Sequence, residues 1–312
     1  MINFYKWMRR ELRTPRYWFA YKTAMKQGPH IQVESITETV LFLKNGYSLS
    51  RFGDGEFRLL TNNGEAIGFQ NHDSKLAKRL FEVLNTPQKN HVVSLPGPFT
   101  RSLFEMNSEA RSFWIGALTT SGAIWKGFLI PEIWESKTVR NTQVTRPYMD
   151  YPKNKKNRQI ANFVFKTFKE LWNSKTVLIV EGEGTNFGLN NDLLDNAKEI
   201  HKILVPSQNA FKIYQKILST TSDVINQLKH DELIVLLAIG PTATVLAYDL
   251  AEMGVQTLDI GHLDVEYEWF RNGARKKIAL KDRVVNEAGT NVQDINVKNI
   301  GETKVGTIKV VK

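Results

Sequence analysis

The feature that most constrains this fold is a series of short apolar runs, rich in β-branched residues, separated by stretches with helical spacing. The runs lie at 92–95, 176–182, 202–206, 233–240 and 256–261. Apolar residues are almost continuous within each run, which indicates strands that are buried on both faces. The alternation of such strands with helices predicts an α/β fold with a mostly parallel sheet covered by helices on both sides.

The stretch before the first of these runs can be assigned in more detail. Ser35 and Glu38 have the spacing of a capping box, and apolar residues then follow along one face until Asn45 and Gly46, which predicts a helix over 35–45. A short strand, "YSLSRF", follows at 47–52.

Composition excludes several classes of protein. There is no cysteine among the 312 residues, which rules out disulfides, thiolate zinc sites and a cysteine nucleophile. No window approaches the ~20 continuous apolar residues of a membrane span, and no signal peptide is recognised, so we expect a cytoplasmic protein. The 42 basic and 32 acidic residues leave a net charge of +10, which favours anionic partners.

Much of this basic character lies at the start of the chain. Residues 1–26 carry seven Lys or Arg and one Glu, interleaved with Trp, Tyr and Phe. This composition suits a peripheral contact with an anionic membrane surface, at the inner face of the cell membrane. An amphipathic helix packed on the domain is the alternative.

Two carboxylates, Asp54 and Glu56, stand in "RFGDGEF" directly after the strand at 47–52. In an extended chain, side chains at i and i+2 point the same way, so the pair can converge on one cation, and Gly53 and Gly55 permit unusual backbone angles. Such oxygen ligands suit Mg²⁺ or Mn²⁺, which substrate phosphates would also hold. The alternative is a solvated turn.

A phosphate site is predicted in "LLAIGPTATVLAYDL". A buried strand ends at Gly240, Pro241 takes a first-turn position, and Thr242 or Thr244 can cap the helix that follows. Helix N-termini at the carboxyl edge of an α/β sheet bind phosphates. A plain strand-to-helix turn is the alternative.

Three further stretches are candidates for site residues. The Gly- and Asn-rich loop at 180–197 matches neither the dinucleotide fingerprint nor the Lys-bearing phosphate loop. Arg146, in "TRPYMDY", is a candidate phosphate contact. In "DIGHLDVEYEWF" (259–270) four carboxylates stand near His262, which predicts functional use of at least one of them. An extended chain would turn Asp264, Glu266 and Glu268 to one face, so spacing does not rank these three.

In their order along the chain, six motifs resemble those of the GT-D fold glycosyltransferases, a bacterial family formerly described as a domain of unknown function. The motifs are "RFGDGEF", "TRPYMDY", "EGEGTNFGLNNDLLDNAKEI", "VPSQNAF", "GPTATVLAYDLAEMGVQTLDIGHLDVEYEW" and "VNE", and the resemblance runs from about residue 35 to 287. It implies a Rossmann-like GT-D domain and metal-dependent transfer from a nucleotide-sugar donor, usually UDP-linked. The acceptors that it implies are cell-surface glycans, as in polysaccharide biosynthesis, or glycoproteins.

The resemblance also assigns roles to residues. Asp54 and Glu56 become the site of Mn²⁺ or Mg²⁺, and Glu266 becomes the candidate catalytic residue, ahead of Asp264 and Glu268. Contacts with the donor are predicted for residues in the matched motifs: Arg51, Arg146, Asn186, Asp192, Gly240 and Thr242. The loop departs from the family pattern at Asn186 and Asn190, where an arginine and a second glycine are expected.

We therefore expect a basic-aromatic segment at 1–30, a glycosyltransferase domain at 31–287 and a polar tail or hairpin at 288–312. The expected reaction is transfer of a hexose from a nucleotide-diphosphate donor to a glycan, lipid-linked or glycoprotein acceptor. A metal-dependent nucleotide phosphohydrolase would use the same carboxylates to activate water. Basic charge alone suggests a nucleic-acid binder, but no nucleic-acid-binding motif is present, so we expect no such partner.

Overall fold

The computed structural model describes residues 19–61, 66–100, 103–228, 232–289 and 305–311. Within them, nine strands form one sheet in the order β1-β4-β3-β2-β8-β7-β5-β6-β9, and every registered pair is parallel. The strands are β1 (Ile31–Val33), β2 (Ser48–Arg51), β3 (His91–Leu95), β4 (Lys137–Asn141), β5 (Thr176–Gly182), β6 (Glu199–Val205), β7 (Leu233–Ala238), β8 (Gln256–Asp259) and β9 (Val305–Val310).

Helices occupy most of the crossovers between these strands, and the β5–β6 connection is a loop. They are α1 (Ile36–Leu43), α2 (Asp54–Leu60), α3 (Ser74–Asn85), α4 (Ser108–Gly127), α5 (Pro131–Trp134), α6 (Lys155–Leu171), α7 (Tyr214–Gln227), α8 (Pro241–Ala251) and α9 (Leu263–Arg271). The capping box predicted for the first of them is present, because the Ser35 side chain accepts from the Glu38 N–H and the Glu38 carboxylate accepts from the Ser35 N–H.

The sheet has a hydrophobic core on each face. Along β5, Leu178 and Val180 belong to one core, and Val177 and Ile179 belong to the other. The first core includes residues of α3, α4, α7 and α8, and the second includes residues of α1, α6 and α9. This confirms the predicted α/β fold, since a strand can be apolar throughout only where both of its faces are covered.

The strands β2 and β8 meet in the middle of the sheet. From β2 the order runs through β3 and β4 to one edge, and from β8 it runs through β7, β5 and β6 to the other. In open parallel sheets, ligands bind beyond the carboxyl ends of strands at such a point. The loops that follow Arg51 and Asp259 therefore occupy the position where a site is expected.

Three strands were not predicted, and each has a local reason. β1 is only three residues long, and "KTVRN" of β4 contains a single apolar residue. Val305–Val310 lies within the segment predicted to be a tail or hairpin, but it pairs in parallel with β6 at the sheet edge. Its sequence, "VGTIKV", alternates only weakly and so carries little of the pattern by which strands are recognised.

The basic segment at 1–26 lies mostly outside the described residues. Residues 19–25 are helical, and within them Tyr21 and Ala24 are buried. The Tyr21 hydroxyl donates to the Pro98 carbonyl at 2.8 Å. This end of the segment packs on the domain, as its alternative interpretation predicted. Among the helices of the described residues, none has the length and apolar character needed to cross a bilayer.

The two-sided core gives a direct test of strand burial. Leu236 in β7 is 0% exposed, whereas Leu41 in α1 is 46% exposed. We expect Leu236→Ala to lower the free energy of unfolding by about 2–5 kcal/mol through lost burial and a residual cavity, and Leu41→Ala to change it by less than about 0.5 kcal/mol. Urea unfolding followed by circular dichroism measures both, and equal losses would contradict the assignment of β7 to the centre of the sheet.

Candidate active site

A cavity of about 950 Å³ opens at the carboxyl edge of the sheet. Its walls come from the loops after β2, β5, β6, β7 and β8, from the Thr142–Thr145 turn after β4, and from the first turns of α2 and α4. Of the residues singled out in the sequence, those that line it are Arg51, Asp54, Glu56, Arg146 and Gly240. The remaining five predicted site residues lie outside its lining: Asn186, Asp192, Thr242, Asp264 and Glu266.

The acidic pair does not lie in an extended loop, as the sequence analysis expected, but in the first turn of helix α2. Gly53 is the N-cap, and its N–H donates to Glu56 Oε2 at 2.7 Å. Acidic side chains are favourable there because the free N–H groups of the first turn carry partial positive charge. Residues at i and i+2 of a helix do not share one face, so Asp54 and Glu56 reach the cavity in different directions.

The Glu56 side chain lies close to a buried ion pair between β2 and β8. Arg51 Nε and Nη2 lie 3.1 and 3.0 Å from Asp259 Oδ1, and Arg51 Nη1 donates to Thr145 Oγ1 at 2.7 Å. Burial and the nearby Asp259 carboxylate together raise the pKa of Glu56 to about 7. Burial also raises the pKa of Asp54, against the opposing effect of the Arg58 guanidinium.

A second charged cluster surrounds Arg146. Its Nη1 and Nη2 lie 3.0 and 3.2 Å from the two carboxylate oxygens of Glu287, and its Nε lies 3.3 Å from Asp150 Oδ2. Although burial would raise the pKa of Glu287, Arg146, His262 and Lys277 lower it to about 2. The guanidinium predicted to contact phosphate is therefore at the cavity, and it is held there by two carboxylates.

His262 is a cavity residue to which the sequence analysis gave no role. It stands immediately before helix α9 and faces the cavity near the Arg146 cluster. Burial, with a further contribution from the Arg146 guanidinium, lowers the pKa of His262 to about 4. Its imidazole is therefore neutral at pH 7 and can accept or donate one hydrogen bond.

Glu266 and Asp264 are helical, contrary to the extended chain assumed for "HLDVEYEW". In helix α9 the three acidic residues point to different neighbours. Glu266 is 0% exposed, and its Oε2 accepts from the N–H groups of Tyr148 and Met149 at 3.0 and 2.8 Å. Glu268 lies 3.3 Å from Arg271 near the surface. Glu266 therefore lies outside the cavity lining, and its carboxylate accepts hydrogen bonds from the 148–149 backbone.

Asp264 holds a different loop. It forms a buried ion pair with Arg283, and its Oδ1 accepts from the Gly188 N–H at 3.1 Å and from Asn191 Nδ2 at 2.8 Å. Its contacts with Gly188 and Asn191 therefore hold the Asn-rich loop in place.

Two predicted donor contacts are also engaged elsewhere. Asn186 Nδ2 donates to the Asp282 carbonyl at 2.6 Å. Asp192 accepts from Lys169 Nζ at 2.6 Å and from the Tyr267 hydroxyl at 2.8 Å, on the outer side of helix α9. Sequence spacing did not reveal these bonds because both partners of each pair are distant in the chain.

The turn before helix α8 reaches the cavity through Ile239 and Gly240. Gly240 has φ +60°, and an added Cβ would overlap the ring of Phe69. Thr242 is fully buried, and its hydroxyl has no hydrogen-bond partner. The start of this helix, predicted to bind phosphate, is thus covered by an aromatic ring contributed by the loop after helix α2.

Further cavity residues were given no individual role from the sequence. They are Glu109 and Phe113 of helix α4, Glu183 after β5, and the basic run Arg275, Lys276 and Lys277. Position after a buried strand is the one signal that could have identified Glu183. The residues of helix α4 could not be found, because that helix approaches the cavity from outside the sheet.

Two carboxylates of the cavity have the chemistry of ligands for a divalent cation. Asp54 and Glu56 both line it, and the positive charge of a cation would counter the burial that raises their pKa values. In the described ranges, however, no group of three or more His, Asp or Glu has a metal-binding arrangement. Asp54 and Glu56 would hold such an ion, with donor phosphates and water completing the shell.

Comparison with known proteins agrees with the architecture. Residues 49–288 match the family model described as "Glycosyltransferase GT-D fold". Two solved structures superpose well. One, reported as showing that the domain of unknown function 1792 has a distinct glycosyltransferase fold, is 30% identical with a TM-score of 0.80, and the match covers 95% of this chain and 100% of that one. The other, reported as a new glycosyltransferase (DUF1792) from Streptococcus sanguinis, is 32% identical with a TM-score of 0.78, and the match covers 90% of this chain and 100% of that one.

Two curated relatives are longer than this chain. "Glycosyltransferase GlyD" of Streptococcus pneumoniae serotype 4 is 34% identical over 250 residues, which is 80% of this chain and 29% of that protein. "Probable glycosyl transferase Gly" of Streptococcus gordonii is 34% identical over 254 residues, 81% of this chain and 35% of that protein. The chain thus spans about a third of the length of these relatives.

The burial of Glu266 predicts how stability depends on pH. Burial, opposed in part by Arg146, raises the pKa of Glu266 from 4.5 to about 7. Because the folded-state pKa is raised, this group's stabilising contribution is complete below pH about 4.5 and is lost as pH rises to about 7. A proton on Oε1 costs no hydrogen bond, because Oε2 accepts both N–H groups and Oε1 has no partner.

Glu266→Gln cannot titrate, so the stability difference between wild type and variant should be largest at and below pH about 4.5 and should shrink towards pH 7. At pH 5 we expect a loss of about 1–3 kcal/mol from the buried, unpartnered amide N–H groups. Urea unfolding at several pH values measures the difference, and Glu268→Gln on the same helix is the matched control. A pH-independent difference would contradict the buried position of Glu266.

Proposed function

The chain belongs to the family of glycosyltransferases with the GT-D fold, and we propose that it moves a sugar from a nucleotide-diphosphate donor, a UDP-sugar, to the hydroxyl of a glycan, lipid-linked or glycoprotein acceptor. The observation that carries the proposal is the cavity at the carboxyl edge of the parallel sheet, where Arg51, Asp54 and Glu56 from the β2–α2 connection meet Arg146 from the segment after β4. A diphosphate needs that combination of positive charge and cation ligands.

In the proposed reaction, the bond from the anomeric carbon to the donor diphosphate breaks as the bond to the acceptor oxygen forms. The leaving diphosphate keeps the bonding electrons, and Arg146 and Arg51 stabilise its charge. When bound, Mn²⁺ or Mg²⁺ would supply further positive charge at the diphosphate, with Asp54 and Glu56 as its protein ligands.

The acceptor hydroxyl must lose a proton as it attacks, and the base belongs to the cavity lining. Glu266 and Asp264 are buried beyond it, so we propose that they position the 148–149 backbone and the 188–191 loop. Among the cavity groups, we propose Glu183 and the neutral His262 as the candidates to accept the proton.

Donor binding tests the metal proposal without measuring turnover. We expect UDP affinity, measured by calorimetry with Mn²⁺, to fall at least ~10-fold with excess EDTA and in Asp54→Asn and Glu56→Gln, because each change removes charge or a ligand at the diphosphate. Asp223→Asn, on the exposed face of helix α7, is the control. UDP binding that is indifferent to EDTA would refute metal dependence, and UDP-sugar hydrolysis that no acceptor stimulates would favour a phosphohydrolase.

We also propose that residues 1–26 contact anionic membrane, where a lipid-linked acceptor would be available. Each Lys or Arg near such a surface adds about 1 kcal/mol of attraction. Replacing Arg9, Arg10 and Arg13 by Gln should therefore weaken co-sedimentation with phosphatidylserine vesicles by at least ~10-fold at low salt. The same three-residue change has no effect if this segment only packs on the domain.

A further inference from the structure

Helix α4 presents an aromatic ring and a carboxylate to the cavity side by side. Phe113 is 44% exposed although it lines the cavity, and Glu109, one turn earlier, lines it too. Residues at i and i+4 lie on one face of a helix. Within the described part of the chain, the Glu109 side chain has no hydrogen bond or ion pair. The two side chains therefore form a surface, the 109/113 platform, with one apolar face and one strong hydrogen-bond acceptor.

The platform is rigid. The Phe113 ring packs edge-on against Trp114, with centroids 5.5 Å apart and planes at 81°, and Trp114 is itself buried. Leu118 and Trp125, further along the same helix, are also buried. An exposed aromatic ring held by a buried one loses little freedom when a ligand stacks on it.

The platform is also tied to the charged side of the cavity. Asn107, the N-cap of helix α4, donates through Nδ2 to the Met149 carbonyl at 2.7 Å, and its N–H donates to the Asp150 carbonyl at 3.0 Å. Asp150 in turn contacts Arg146. The backbone that carries Arg146 and the helix that carries the platform therefore keep a fixed separation.

Phe69 is a second aromatic residue in the cavity lining, and its ring packs against Gly240. A pyranose ring has an apolar face of C–H groups and a rim of hydroxyls. It matches an aromatic face beside a carboxylate that can accept hydroxyl protons. A phosphate would be repelled by Glu109, and the basic residues that suit a phosphate lie on other walls.

We propose that the 109/113 platform is the acceptor subsite, and that it binds a neutral sugar ring by stacking on Phe113 and hydrogen bonding to Glu109. This inference rests on the proposed function and specifies its acceptor: the group that receives the transferred sugar is itself a terminal neutral sugar residue. Acceptor choice is thereby assigned to helix α4, outside the sheet.

Saturation-transfer NMR tests the platform without turnover. With cellobiose, lactose and chitobiose as probes, wild-type protein with UDP and Mn²⁺ should saturate the ring C–H protons of at least one disaccharide. Phe113→Ala should abolish that signal, and Phe113→Trp should retain it. Phe163→Ala is the matched control, because Phe163 is 40% exposed on helix α6 and lies outside the cavity lining.

Kinetics give the second measurement. With the disaccharide that binds, Phe113→Ala and Glu109→Gln should each raise the acceptor KM by roughly 3- to 10-fold. The affinity for UDP should stay unchanged in both variants. Equal saturation in wild type and Phe113→Ala would overturn the platform, and so would a loss of UDP affinity in Phe113→Ala, which would assign the ring to the nucleobase.

The two proposals fail in different ways. A wild-type protein that binds none of the three disaccharides, but still binds UDP and is stimulated by another acceptor, overturns the platform alone. A wild-type protein that binds no UDP overturns the proposed function, whatever the saturation experiment shows.

Discussion

The structure depends on the parallel pairing of its strands. Each registered pair in the described sheet is parallel, so each strand needs a crossover before the next can pair, and all carboxyl ends lie along one edge. Residues as far apart in sequence as Arg51 and Asp259 meet because β2 and β8 are neighbours in the middle of that sheet. The cavity is the place where loops separated by more than 200 residues are brought together, as the 208-residue separation of Arg51 and Asp259 shows.

Long apolar runs were predictable from the sequence, and short or polar elements were not. β5 and β7 are buried at every position and carry long apolar runs because both faces are covered, whereas β4 has only Val139 to indicate its burial. The error at Asp54 and Glu56, repeated at Asp264 and Glu266, has one cause. Both acidic groups were treated as extended chain, but each stands in the first turn of a helix, where the positive end of the helix dipole favours carboxylates.

Two buried carboxylates, Glu181 and Asp264, each pair with a basic side chain and accept from a backbone N–H of the loop after β5. Glu181 pairs with Lys202 and accepts from the Phe187 N–H, and Asp264 pairs with Arg283 and accepts from the Gly188 N–H. Both therefore hold the loop after β5 in place, from opposite sides. Removing one partner of such a pair leaves an uncompensated charge, so these acids are structural requirements of the loop. The sequence could not separate them from cavity acids, since their partners lie on distant elements.

The contact between Gly240 and Phe69 bears on how this domain can vary. A side chain at position 240 and a ring at position 69 compete for the same space, and the positive φ of Gly240 adds a second restriction. The two positions are therefore coupled by volume. Homologues that carry a larger residue at position 240 must have lost the ring at position 69 or moved its loop. Covariation between the two positions would therefore distinguish relatives in which the start of helix α8 is covered from those in which it is open.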